Sequence, residues 1–366
     1  MRNSGLTLRL LAGCMPLITT IAALAVAPPK QAPQKPSIPL YNRDVRPILS
    51  DTCFPCHGPD SAKRKSGLRL DIQDEAIRQK AIVPGTLKGS VWNRISQTSA
   101  DLVMPPPGAH KPLSKAQKET IKAWLLAGAK YEPHWAYTPV VKPAVPSSTP
   151  GTTPIDAFLN QRHKQLGLLQ APEADPVTLI RRVSLDLTGL PPSPDDIKAY
   201  AANPTKKAYA SYVDRLLASD AHAERMSVWW LDQVRYADTV GFHGDQNHNA
   251  WPYRDWVVSA FNENLPFDQF TIDQLAGDLL PEPSQDQLVA TGFSRCNVTT
   301  GEGGSIDAEL LFRYAVDRTS TAVQAWMGLT AGCAVCHDHK FDPISHKEFY
   351  SLYSFFYSAA DPAMDG

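Results

Sequence analysis

The sequence has almost no charge imbalance: 36 Lys and Arg stand against 37 Asp and Glu in 366 residues, a formal net charge of −1. Such a chain lacks the field that a nucleic-acid binder working through bulk electrostatics needs, so no nucleic-acid partner is expected. There is no internal repeat and no strand-rich block. No Ser-His-Asp arrangement, phosphate loop or paired-carboxylate motif can be read from spacing, so no hydrolytic or nucleotide chemistry is assigned. Cysteine is scarce, at six residues, and its placement carries most of the information in the chain.

The first 27 residues read as an export signal or anchor. Arg2 and Arg9 give a positive start, a mostly apolar stretch runs from Leu10 to Val26, and Ala23-Leu24-Ala25 suits cleavage. Retention would make this segment a membrane anchor, and "LAGC" at 11–14 offers Cys14 as a lipidation alternative. Either way the body of the protein is expected outside the cytoplasm, in the periplasm or cell envelope. Paired cysteines at tight spacing are not expected to stay as bare thiols there.

Two such pairs exist. "CFPCHG" supplies Cys53, Cys56 and His57, and "CAVCHD" supplies Cys333, Cys336 and His337. Cys-x-x-Cys-His is the pattern of covalent haem c attachment: two thiols one helical turn apart meet the two vinyl groups, and the adjacent imidazole meets the iron. Zinc would want two further ligands, and no second Cys-x-x-Cys lies near the first. A redox dithiol would want a βαβ context that this proline-broken region lacks. A sixth ligand at the first site is Met104 in "DLVMPPPG", where prolines could hold the thioether opposite His57; thioether with imidazole raises the potential and suits an electron carrier.

Thirty-two prolines divide the chain. A spacer at 28–40 precedes a first unit at 41–132, a linker follows at 133–154, and a larger region runs from 155 to 366. In the first unit "YNRDVRPILSDTC" reads as a helix delivering Cys53, "SGLRLDI" (66–72) as a strand or extended segment, "SVWNRI" as a short helix, and Ser114 with Gln117 as a capping box opening a longer one. Beyond the linker, helices are expected at 155–167, 176–187, 194–202, 206–218, 222–237, 251–263, 268–276, 308–327 and 346–358. The fold class is therefore mainly α: a small class I-like cytochrome c domain followed by a larger helical domain.

The ordered blocks "DVRPIL", "CFPCHG", "GLRLD", "IVPG", "MPP", "PLS" and "IKAWLLAGA" resemble the planctomycete-type cytochrome c domain over roughly 43–130. That resemblance implies His57 and Met104 as the axial pair. Residues 154–360 resemble the second domain commonly fused behind that cytochrome, through "LIRRVSLDLTGLPP", "WWLDQVRYAD", "LPFDQFTIDQLAGDLLP" and "VDRTSTAVQAWMGLTAGCAVCHDHKFDPI" among others. No settled activity comes with it. Members usually carry a further C-terminal domain, so this chain reads as a truncated or divergent version.

At the second motif no distal ligand is evident. His243, His248 and His346 are the candidates, with Met327 and Met226 behind them; if none ligates, the iron is five-coordinate and open to substrate. His339 is too close to His337 to reach the opposite face and is expected to hydrogen-bond a propionate or a loop carbonyl. Zinc at Cys333, Cys336 and His337 or His339 with a remote ligand is the alternative. The stretch 235–256 gathers Arg235, Asp238, His243, His248 and Arg254 with three aromatics, either as a loop tied down by ion pairs or as a polar pocket wall. Cys296 is left over and is expected to be a small buried residue.

The function expected is that of an exported c-type cytochrome, with one haem c at the first motif and a second at the other, exchanging electrons with a redox partner protein or a small-molecule donor or acceptor. One alternative is a redox enzyme, dehydrogenase or peroxidase-like, using the cytochrome as its electron port. Another is an envelope binding module with one haem and a zinc or structural second site.

Overall fold

The computed structural model describes residues 38–147, 152–241, 245–301, 303–359 and 361–364. Among them the protein is helical without a sheet; the sole β feature is an isolated bridge between Thr239 and Asn247. The segment expected to direct export, Cys14 and His243 lie outside the described residues.

Ser37–Lys142 and Pro172–Gly366 form one compact unit. Its N-terminal part holds α1 (Arg46–Thr52), α2 (Phe54–His57), α3 (Gln73–Arg78), α4 (Ser90–Ile95) and α5 (Lys115–Leu126). Helix α5 starts where Ser114 and Gln117 cap each other's backbone, the expected capping box. The core here is built from Tyr41, Val45, Leu49, Phe54, Leu70, Ile82, Ile121, Trp124 and Leu125. Tyr41 stacks on Tyr131 at 4.3 Å, and the Tyr131 hydroxyl donates to the Leu70 carbonyl at 2.8 Å. Burial raises the pKa of both tyrosines, so they stay neutral donors.

Residues 66–72 are not a strand. Ser66 and Gly67 both take positive φ, turning the chain, and the Leu70 amide donates to the His57 carbonyl rather than to a neighbouring strand.

Residues 143–171 fall outside that unit and carry α6 (Pro154–Leu166), opened by a Thr153–Asp156 capping box and closed by Gly167 in the left-handed conformation. The large unit then continues through α7 (Pro176–Thr188), α8 (Pro194–Ala202), α9 (Lys206–Leu217), α10 (Asp220–Gln233), α11 (Trp251–Asn262), α12 (Phe267–Ala276), α13 (Gln285–Ala290), α14 (Asp307–Ala322) and α15 (His346–Tyr357). Helix α10 stops short of the expected 237 because Arg235 takes φ 56° and reverses the chain. Three apolar clusters bind these helices together, the first formed by Ile180, Tyr200 and Tyr212 of α7, α8 and α9. Val234, Tyr253, Val257 and Phe293 join α10 to α11, while Ala315, Val323, Leu329, Ala334, Phe349 and Tyr353 seat the second cysteine motif between α14 and α15. No described helix is long and apolar enough to cross a membrane.

Candidate haem-binding sites

The first motif sits where α1 runs into α2. The amides of Cys56 and His57 both donate to the Cys53 carbonyl, at 3.1 and 2.8 Å, so the three residues share one tight turn. The following turn fixes them from outside: Lys65 donates to the Cys56 carbonyl and Leu70 to that of His57, each at 2.8 Å. Gly58 is required here, because a Cβ would stand 2.5 Å from the Phe54 carbonyl oxygen. Cys53 is half-buried, which pushes its thiol pKa up, and Cys56 is exposed. His57 is half-buried, and burial lowers its pKa, with the Lys65 backbone opposing. Its Nδ1 is buried and makes no hydrogen bond. A neutral imidazole beside two thiols on one turn fits a haem c, whose iron would take the imidazole and whose vinyl carbons would take the sulfurs.

Met104 lies on a proline-bound loop, 37% exposed, lining a 460 Å³ recess with Val103, His110 and Leu113. The loop is anchored at both ends. The Met104 amide donates to the Arg94 carbonyl at 3.1 Å, and Lys111 Nζ lies 2.7 Å from Asp51 Oδ1. Asp51 is two residues before Cys53, so the loop is tied to the helix that delivers the first thiol.

The same carboxylate takes a second lysine, Lys340, at 3.0 Å. Lys340 follows the second motif by three residues, so the loop behind "CAVCHD" docks on the first module. Arg46 of α1 donates to the Phe341 carbonyl, and His134 Nε2 faces Asp342 Oδ1 at 3.4 Å. Between these contacts lies a 620 Å³ cavity walled by Phe54, Arg69 and Tyr131 on one side and by Asp338 and His339 on the other. Sequence reasoning named none of Asp51, Lys111, Lys340, Arg46, His134 or Asp342.

The second motif is a short 3-10 turn, Gly332–Val335, with Cys333, Cys336 and His337 all exposed. His337 Nδ1 is 2.8 Å from the Asp338 carbonyl. A carbonyl only accepts, so Nδ1 carries the proton and Nε2 keeps its lone pair, the tautomer a metal-ligating histidine needs. This donor set also fits a haem c.

His339 is buried, and its Nδ1 accepts from the amides of Asp342 (2.7 Å) and Phe341 (3.2 Å), so it organises the loop. That also bears on the zinc alternative: His339 has its Nδ1 engaged, and among the described residues no three His, Cys, Asp or Glu side chains converge on a metal position.

Of the distal candidates, His346 adjoins the motif, but its Nε2 donates to the Val335 carbonyl at 3.1 Å. His248 lines a different recess, with Arg295. Met226 on α10 and Met327, ahead of Gly328, are partly exposed. In the polar stretch, Arg235 pairs with Asp317, its Nε 2.6 Å from the carboxylate. Tyr236 donates to Asp238 at 2.6 Å, with Arg254 at 3.6 Å from the same oxygen. These three charged residues are thus ion-paired or hydrogen-bonded to neighbours. Cys296 is buried, and burial pushes its thiol up to about 12.

Two family models match the chain. One, described as Planctomycete cytochrome C, covers residues 53–108; the other, described as Protein of unknown function (DUF1549), covers residues 154–361. No curated protein and no solved structure matches.

Proposed function

The chain belongs to the DUF1549 family and carries a planctomycete cytochrome c module ahead of that region, and on this premise we propose that it is an exported dihaem c-type cytochrome exchanging electrons with a redox partner outside the cytoplasm. Bound haem c supplies a one-electron redox centre. Cys53 and Cys56 would hold the first haem with His57 and Met104 on its iron; Cys333, Cys336 and His337 would hold the second.

The chain's own residues supply position and tautomer. The Asp338 carbonyl keeps the proton on His337 Nδ1. Asp51 fixes both the methionine loop and the loop behind the second motif to the helix ahead of Cys53. That double use of one carboxylate carries the reading: two motifs held through a common anchor suit a short electron relay. A redox enzyme with an open second iron is the second reading, favoured by the commitment of His346 Nε2 to Val335.

The test is covalent haem per polypeptide, measured on protein made with haem-maturation machinery, for the native chain and for Cys333→Ala/Cys336→Ala. Two haems falling to one is the expected result. One haem in both proteins would overturn the dihaem reading, and a high-spin ferric band present only in the native chain would favour the enzyme.

A further inference from the structure

The DUF1549 region contains a polar recess whose walls include no residue of either cysteine motif. Its outer part is a 520 Å³ cleft lined among others by Asn247, His248, Asn249 and Arg295. A 70 Å³ inner chamber shares His248, Arg295 and Pro362 with it and is walled by Arg318 and Asp361. Arg318 stands on α14 with its side chain 5% exposed, and its Nε donates to the buried Asn297 Oδ1 at 2.9 Å. Asp361 splits its carboxylate between two guanidiniums: Oδ2 lies 2.6 Å from Arg318 Nη2, and Oδ1 lies 3.0 Å from Arg295 Nη2.

We infer that this recess binds a small organic carboxylate bearing hydroxyl groups, a sugar acid by class, and that Asp361 is its built-in competitor. A guanidinium fork matches a carboxylate in shape and charge, and a buried arginine left without an anion is costly, so either Asp361 or a ligand must fill the position. Asn297 orients Arg318 from the protein core, so the inner half of the clamp does not depend on Asp361. Arg295 is 67% exposed at its side chain and faces the open cleft, where an incoming carboxylate can engage it first. Asp361 belongs to a short non-helical segment, further held by the Tyr314 hydroxyl donating to the Ala363 carbonyl at 2.9 Å. The outer wall of Asn247, His248 and Asn249 offers the donors and acceptors that a hydroxylated body needs.

The experiment is calorimetric titration of the haem-loaded full chain with sodium D-glucuronate at constant ionic strength, with acetate, sulfate and glucose as controls. Asp361→Asn, which weakens the competitor, is expected to bind glucuronate at least tenfold more tightly than the native chain. Adding Arg295→Gln should abolish that binding. Should Asp361→Asn not fold, Pro362→Gly loosens the segment around Asp361 while keeping all three charges, and the same order of affinities is required. Lack of saturable binding in the folded variant, insensitivity to Arg295→Gln, or equal binding of acetate, sulfate or glucose would each overturn the inference.

Discussion

Lys340 Nζ lies 3.0 Å from Asp51 Oδ1, joining residues 289 apart in sequence. Lys111 meets the same oxygen at 2.7 Å. All three side chains are partly exposed, so global stability should change by less than about 1 kcal/mol when either pair is cut. The effect should be local. Lys340→Met is expected to speed amide hydrogen exchange several-fold in residues 338–346 alone. Asp51→Asn should do so there and in residues 103–113 as well. Unchanged exchange at 103–113 in Asp51→Asn would remove the shared-anchor interpretation.

Met104→His tests the axial assignment at the first motif. Replacing thioether by imidazole should lower one reduction potential by on the order of 0.1 V, a modest part of the ~0.8 V that axial ligands span. Potentiometric titration should show one wave moving and the other fixed. Two unmoved waves would exclude Met104 as a ligand.

Burial of His134 beside Asp342 gives the docked loop a pH dependence. Burial is the largest influence on His134 and lowers its pKa, with Arg46 adding to the effect and Asp342 opposing it. The folded pKa therefore lies below the unfolded value of about 6.5. Between the two, the unfolded chain binds more protons, so stability is full above about 6.5 and falls as pH drops toward the folded pKa. His339 shifts in the same direction, so the comparison must be made against His134→Gln. That variant should flatten part of the denaturation midpoint's decline between pH 6.5 and 5; an identical slope in both proteins would rule His134 out as a contributor.

Gly58→Ala is expected to destabilise the first module by about 1–3 kcal/mol, since the new methyl meets the Phe54 carbonyl and Cβ at 2.5 and 2.7 Å. Chemical denaturation measures this directly. Haem incorporation at the first motif should fall with it, while that at the second is retained.

The helical plan is legible because the chain marks its helix starts. Ser114 with Gln117, and Ser193 with Pro194 and Asp196, are local signals that act within one turn. The same signal at Ser284 and Gln287 opens α13, which is missing from the expected helices. Apparent alternation in "SGLRLDI" misleads because two positive-φ residues convert it into a turn. The cysteine motifs are legible by spacing. Their anchoring is not, since an aspartate at 51 and a lysine at 340 look like any surface charges until the fold brings them together. In the stretch 235–256, Arg235 and Arg254 form ion pairs, while Asn247, His248 and Asn249 line a cleft.

The distance along the chain between Asp51 and Lys340 also sets an order of events. The first module has its own core, closed by residues from Tyr41 to Ala129. It can therefore consolidate during synthesis while residues 333–346 do not yet exist, and contacts of such long range form late. By then Asp51 can already hold Lys111 and still has room for Lys340. The second loop then arrives on a surface finished beforehand.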